Sequence, residues 1–182
     1  MTTKNSRKGF TLIELLVVIS IIGILASIGL SSFTTAQKKG RDAKRKGHLT
    51  QIAGSLESYY NDKQQYPSSN LTGQIMACGT DPDTPTACTW GTDRFLNIAH
   101  PTTIYMIKLP NDQSSGQSYY YESQASNTAY YLCARLENTQ DINIPKDVDG
   151  NSLVYDGPNC TGAADTCNYC ISSSNIALPD AI

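Results

Sequence analysis

FTLIELLVVISIIGILASIGLSSF, Phe10 to Phe33, is a run of 24 residues with a single charge, Glu14. At about 1.5 Å of rise per residue, this run as a helix crosses a hydrocarbon layer of roughly 30 Å. Ahead of it stands MTTKNSRKG, with Lys4, Arg7 and Lys8 just before Gly9. Glu14 is the anomaly. A carboxylate central to a membrane helix costs about 2.5–3.5 kcal/mol on insertion scales, so it calls for a partner. A cut between Gly9 and Phe10 would supply one, a new α-amine four residues before Glu14 and on the same helix face. An anion in the first turn is also favoured by the helix dipole. The same amine could reach Glu14 of a neighbouring copy, which would make the charge a device for assembly. A secretory signal peptide puts an apolar region of about 7–15 residues before its cut; here the run is longer and Gly9 precedes it. A plain single-span anchor leaves Glu14 unexplained.

The stretch KGFTLIELLVVISIIGILASI, Lys8 to Ile28, resembles the class III leader and N-terminal helix of type IV pilins and the related pseudopilins. Gly9 stands before the cut, Phe10 after it, and Glu14 at the matching helix position. The resemblance implies a leader of residues 1–9, removed on the cytoplasmic side by a prepilin peptidase that also N-methylates Phe10. It implies as well that the helix is retained as the core of a filament, with Glu14 aligning each newcomer. Many family members carry a proline within the first helix, and this sequence has none there.

The chain is two chemically different objects. Residues 1–66 hold ten Lys/Arg against four Asp/Glu, and residues 67–182 hold four against twelve. All six cysteines (Cys78, Cys88, Cys133, Cys160, Cys167, Cys170) lie in the second part. An even number in a small, loop-rich region predicts disulfides and an exported location. Cys167 and Cys170 form a CxxC, but no second CxxC or nearby His completes a zinc set. Just past the apolar run, KKGRDAKRK (Lys38 to Lys46) is dense in cations, with Asp42 its one acid. The positive-inside rule would hold that side in the cytoplasm, whereas the cysteines and the leader place it outside. Nucleic acid, anionic lipid headgroups and acidic heads of neighbouring copies are candidate partners for this run. Its place at the membrane exit favours the last two.

The helix is predicted to continue beyond the membrane. Leu49, Ile52, Ala53, Leu56 and Tyr60 make an amphipathic stripe of period 3.6. It should end near Asp62–Gln65, because the residue ahead of Pro67 is pushed out of helical geometry. Gly40, Gly47 and Gly54 recur every seven residues, either for close packing or as tolerated breaks. From Tyr66 the pattern changes to short runs between Pro, Gly, Asn, Asp and Ser. Residues 67–92 read as a loop region holding Cys78 and Cys88. Thr103–Leu109, Ser118–Ser123, Ala129–Leu136, Ser152–Tyr155 and Asn168–Ser172 read as strands. In the third, Leu132, Ala134 and Leu136 share one face and Cys133 the other. The tyrosines of these runs suit the half-buried face of a sheet. If Tyr169 and Ile171 point inward, Cys170 shares the outward face with Cys133. Two cysteines facing alike on adjacent strands can bridge. The expected pairs are therefore Cys133–Cys170, Cys78–Cys88 and Cys160–Cys167. The rival is Cys133–Cys160 with the CxxC unpaired.

Chemistry finds little purchase. The two histidines, His48 and His100, have no evident nucleophile or metal partner, and no phosphate loop or carboxylate pair is present. Asp147 and Asp149 lie in DVDGN, which resembles part of a calcium loop, and some pseudopilin heads bind calcium. Gly150 is not at the sixth position and no closing Glu follows, so a β-turn is the favoured reading. No cofactor is implied, and an enzyme is not expected.

The expected fold is α+β, a long N-terminal helix packed on a small antiparallel sheet. The segments are leader 1–9, filament-core helix 10–33, amphipathic continuation 34–65 and disulfide-bonded head 66–182. The expected role is a type IV pilus-like filament subunit. Its partners are its own copies, the prepilin peptidase, a membrane assembly platform and the cytoplasmic membrane, with nucleic acid disfavoured. It would begin in the inner membrane with its head outside and end in an extracellular filament. The alternatives are a pseudopilin of a secretion or DNA-uptake machine, and a membrane-tethered binding domain that never polymerises.

Overall fold

The computed structural model describes residues 9–182, apart from the side chains at 28, 29, 31 and 32. The leader expectation for residues 1–8 lies outside them. One helix, α1 (Leu12–Lys63), runs without a break through the apolar segment and the amphipathic stripe. The chain divides into two compact units between Lys38 and Lys39, inside this helix.

The second unit contains seven short strands: β1 (Ser68–Ser69), β2 (Ile75–Met76), β3 (Phe95–Leu96), β4 (Ile104–Met106), β5 (Tyr120–Gln124), β6 (Ala129–Ala134) and β7 (Tyr169–Ser172). They form two antiparallel pairs, β1–β2 and β3–β4, and one antiparallel sheet in the order β5–β6–β7. The α+β class expected from the sequence is the class observed. Strands β1 to β3 fall partly in the region read as loop, because two residues are too few for alternation to register. Residues 152–155 form bridges in place of a strand, Ser152 to Lys146 and Tyr155 to Ala181. Two different partners in succession keep a ladder from propagating there.

α1 ends where Gln64 adopts a left-handed φ of 56°, its N–H still bonded to the Tyr60 carbonyl at 2.7 Å. The stripe buries its centre. Leu49, Ile52 and Leu56 are fully buried, with Ala53 and Tyr60 partly so. Each full burial is worth about 1.5–3 kcal/mol. Facing them from the sheet are Tyr121, Tyr130, Leu132 and Ala134, with Tyr119 just ahead of β5. The tyrosines are more deeply buried than a half-covered face requires, and their hydroxyls are satisfied. Tyr121 donates to the Pro67 carbonyl at 2.6 Å, and Tyr119 pairs with His48 Nδ1 at 2.7 Å. Tyr66 bonds Glu57 at 3.0 Å.

Period-two alternation sends Tyr120, Tyr131 and Cys133 to the opposite face, where a second cluster forms with Tyr155, Cys160, Cys167 and Cys170. The register sets Cys133 directly across from Cys170. Disulfides join Cys133 to Cys170, Cys78 to Cys88 and Cys160 to Cys167. A Cβ built on Gly23, Gly40, Gly47 or Gly54 would meet nothing within 4 Å, so packing within the chain does not account for these glycines.

Candidate functional site

Two regions of α1 hold charges removed from ordinary solvent-facing positions, one in an apolar run and one buried, and they solve it differently. The first is the helix start. Thr11 precedes Leu12 as the cap residue, and Glu14 is the third helical residue. The Thr11 hydroxyl accepts the Glu14 N–H at 3.3 Å. Glu14 Oε2 in turn accepts the Thr11 N–H at 2.8 Å and its hydroxyl at 2.7 Å. This is a reciprocal capping box, two otherwise orphaned helix-end donors satisfied by one Thr-x-x-Glu. The sequence reading missed it, although the spacing was visible. Around it nothing covers the helix. The large apolar side chains described between Phe10 and Phe33 are 48% to 87% exposed, on every face of the helix. Among the described residues no helical stretch is long and apolar enough to cross a membrane. The membrane reading therefore rests on the sequence.

The second region is the basic run from Lys39 onward. Arg45 is buried, with 2% of its side chain exposed. Its guanidinium grips Asp112 through Nε to Oδ2 at 2.5 Å and Nη2 to Oδ1 at 2.8 Å. It also reaches Asp42 at 2.7 Å, Ser114 at 2.7 Å and Glu137 at 2.8 Å. Asp42, equally buried, accepts the backbone N–H groups of Glu137 and Asn138 at 2.9 and 2.8 Å. Arg41 forks onto Glu137, and Lys46 bonds Asp141 at 2.6 Å. Burial opposes the Arg45 charge, but its bonds to Asp112, Asp42 and Glu137 outweigh that and raise its pKa. The hydrogen bond from Arg41, assisted by Arg45, holds the Glu137 carboxyl down at about 2. A buried pair of this kind adds little net stability over an apolar replacement, because desolvation offsets attraction. Removing one partner, however, costs about 3–5 kcal/mol. Much of the basic run thus serves to seat the head on α1, a use that neither lipid nor nucleic acid is needed to explain.

The remaining singled-out residues are scattered. Gly9 and Phe10 are exposed at the helix start. His48 is tied to Tyr119, and His100 is exposed in the β3–β4 connection. Asp147 accepts the N–H groups of Asp149 and Asn151 at 3.0 and 2.7 Å and the Asn151 amide at 2.9 Å, so its oxygens already have donors. Among the described residues no cluster of His, Cys, Asp or Glu is arranged to hold a metal. What the arrangement offers is surfaces: an uncovered apolar helix and a rigidly seated head.

The prokaryotic N-terminal methylation motif matches residues 4–30. The chain is 38% identical over 74 residues to fimbrial protein EcpC of Eikenella corrodens, covering 41% of this chain and 48% of that one. It is 37% identical over 59 residues to type IV major pilin protein PilA of Myxococcus xanthus, covering 32% and 27% respectively. It is 28% identical over 113 residues to type II secretion system core protein G of Klebsiella michiganensis, covering 62% and 72%. The chain thus spans about half or less of the length of the first two relatives. No solved structure matches it.

Proposed function

We propose, for a chain whose N-terminal segment is that of the type IV pilins and type II secretion pseudopilins, the role of a filament subunit that works by assembly. Prepilin peptidase removes the leader between Gly9 and Phe10 and methylates the new amine. Residues 10–33 hold the subunit in the inner membrane with the head outside. A membrane platform then adds it to a growing polymer whose core is this helix, and Glu14 aligns it against the Phe10 amine of a neighbour. One observation carries the reading: the apolar half of α1 is exposed all round. A helix apolar on every face needs lipid or other helices around it, and the described large apolar side chains of this segment are left exposed. Intact mass and N-terminal mapping of shed filaments tests the proposal, with a methylated Phe10 terminus expected. Recovery of Met1 or Thr2 on assembled material would refute it.

A second reading, a pseudopilin in a short secretion piston, is favoured by the similarity to core protein G, which is too long to lie within the helix alone. Electron microscopy separates the two. Long shed fibres support the pilus, and their absence with retained secretion defects on deletion supports the piston.

A further inference from the structure

Two parts of the head carry charges of opposite sign that make no ion pair among the described residues. On the α1 side, a groove of about 660 Å³ is lined by Lys44, His48, Gln51, Lys108, Asn111 and Gln113, and no carboxylate lines it. Lys44 has only the Gln113 amide oxygen, at 3.2 Å. Among the described residues Lys44 and Lys108 make no ion pair. The carboxylate that acts on His48, Asp112, is already held by Arg45.

The far face of the β5–β6–β7 sheet has the reverse character. Glu122 accepts the Tyr120 hydroxyl at 3.1 Å. Glu122 stands directly across from Tyr131 in the β5–β6 register, and Asp180 precedes Ala181, which packs with Tyr131 on this face. Asp156 lies against Asp180, its N–H bonded to the Asp180 carbonyl at 2.9 Å. Asp165 accepts the neighbouring Gly157 N–H. One cation shares the face, Arg135, bonded to the Thr166 carbonyl at 2.8 Å. Asp156 and Asp180 are exposed, and their carboxylates have no ion-pair partner among the described residues.

We infer that the groove of Lys44, His48 and Lys108 receives the acidic sheet face, around Asp156 and Asp180, of a second copy of this chain. The occupant follows from complementarity, since each copy carries both halves in different parts of the head. A contact between two different faces is heterologous, and repeated it builds a ring or, where the rotation does not close, an open helical array, whereas a self-matching face closes into a dimer. The electrostatic match fixes register more than strength. The contact rests on the filament reading and names the surface that orders the heads within it.

The test uses the full chain in cells that assemble it, with sheared filaments measured against total subunit. Lys44→Glu with Lys108→Glu should lower filament yield about tenfold, and Asp156→Lys with Asp180→Lys equally, because like charges then meet. All four changes in one chain should recover yield to within about threefold of wild type. Assembly at wild-type levels by either reversed pair overturns the contact, as does failure of the fourfold swap to restore it. Should a reversed chain fail to fold, Lys44→Gln with Lys108→Gln removes charge without adding any, and should still lower yield about threefold. Wild-type chains that make no polymer at all would refute the filament reading itself, and this contact with it.

Discussion

Glu14 and Arg45 sit on the same helix, the first a charge in an apolar run and the second a buried charge, and they are satisfied in different ways. Arg45 is closed in by Asp42, Asp112, Glu137 and Ser114. Two of those acids come from segments distant in sequence. Among the described residues Glu14 bonds Thr11 alone, three residues away, and the described apolar side chains around it are exposed. A charge satisfied from many sides within the chain tells the chain how to fold. A charge satisfied only locally, on a surface that cannot stay in water, points to partners outside. On the filament reading proposed above, the same helix carries a folding device in one half and an assembly device in the other.

The sharpest way to break that contrast is Glu14→Ala. Membrane insertion should be retained or improved, since the insertion cost of about 2.5–3.5 kcal/mol is removed, while filaments should be lost. Membrane fractionation and electron microscopy read the two separately. Polymer at wild-type yield would mean that Glu14 has no role between copies.

Arg45→Met should show the opposite phenotype. The side chain fills similar space but leaves Asp42, Asp112 and Glu137 with an uncompensated negative charge. The expected loss is about 3–5 kcal/mol of head stability, read by denaturant unfolding of the full chain in detergent. A loss under about 1 kcal/mol would mean that the network is solvated and dispensable.

These two residues also mark what the sequence could reveal. Periodicity exposed the helix, its continuation past the apolar run and its buried stripe of Leu49, Ile52 and Leu56, because apolar spacing is a local signal. Strand alternation separated Leu132 and Ala134 from Cys133 for the same reason. The Arg45–Asp112 pair spans 67 positions, and no pattern along the chain connects them. Only the intrahelical Asp42-x-x-Arg45 spacing hinted that the basic run held more than free cations. The capping box was legible in the Thr11-x-x-Glu14 spacing. The two-residue strands β1, β2 and β3 are too short to carry a periodic signature.

Acid should erode the folding device in a definite window. The Glu137 carboxyl is depressed from 4.5 to about 2, chiefly by Arg41. Its contribution is therefore fully present above about pH 4.5 and is lost as pH falls toward 2. Asp141 is lowered too: burial works against it, but its bond to Lys46 prevails. Glu137→Gln should lower stability at neutral pH and flatten the fall in unfolding free energy across that window, with the Asp141 share remaining. Urea titrations between pH 5 and pH 2 measure the slope. A variant that falls as steeply as wild type would show the Arg41–Glu137 fork to be absent in solution.

The smallest expected effect separates the two things Glu14 does. Thr11→Val keeps the shape and removes the hydroxyl, so the Glu14 carboxylate loses one of its donors and the Glu14 N–H loses its acceptor. The backbone bond from Thr11 to Glu14 survives. Loss of a cap hydroxyl costs a helix about 0.5–2 kcal/mol. That cost falls on the first turn alone, so the seated head should unfold as in wild type. Filaments should still form, at modestly reduced yield, because the carboxylate that meets a neighbouring copy is still in place and has fewer bonds to give up. Side-by-side filament yields for Thr11→Val and Glu14→Ala decide the matter. If the valine variant is as empty of filaments as the alanine one, Glu14 acts by ordering its own helix start, and the division of α1 into a folding half and an assembly half fails at its N-terminal end.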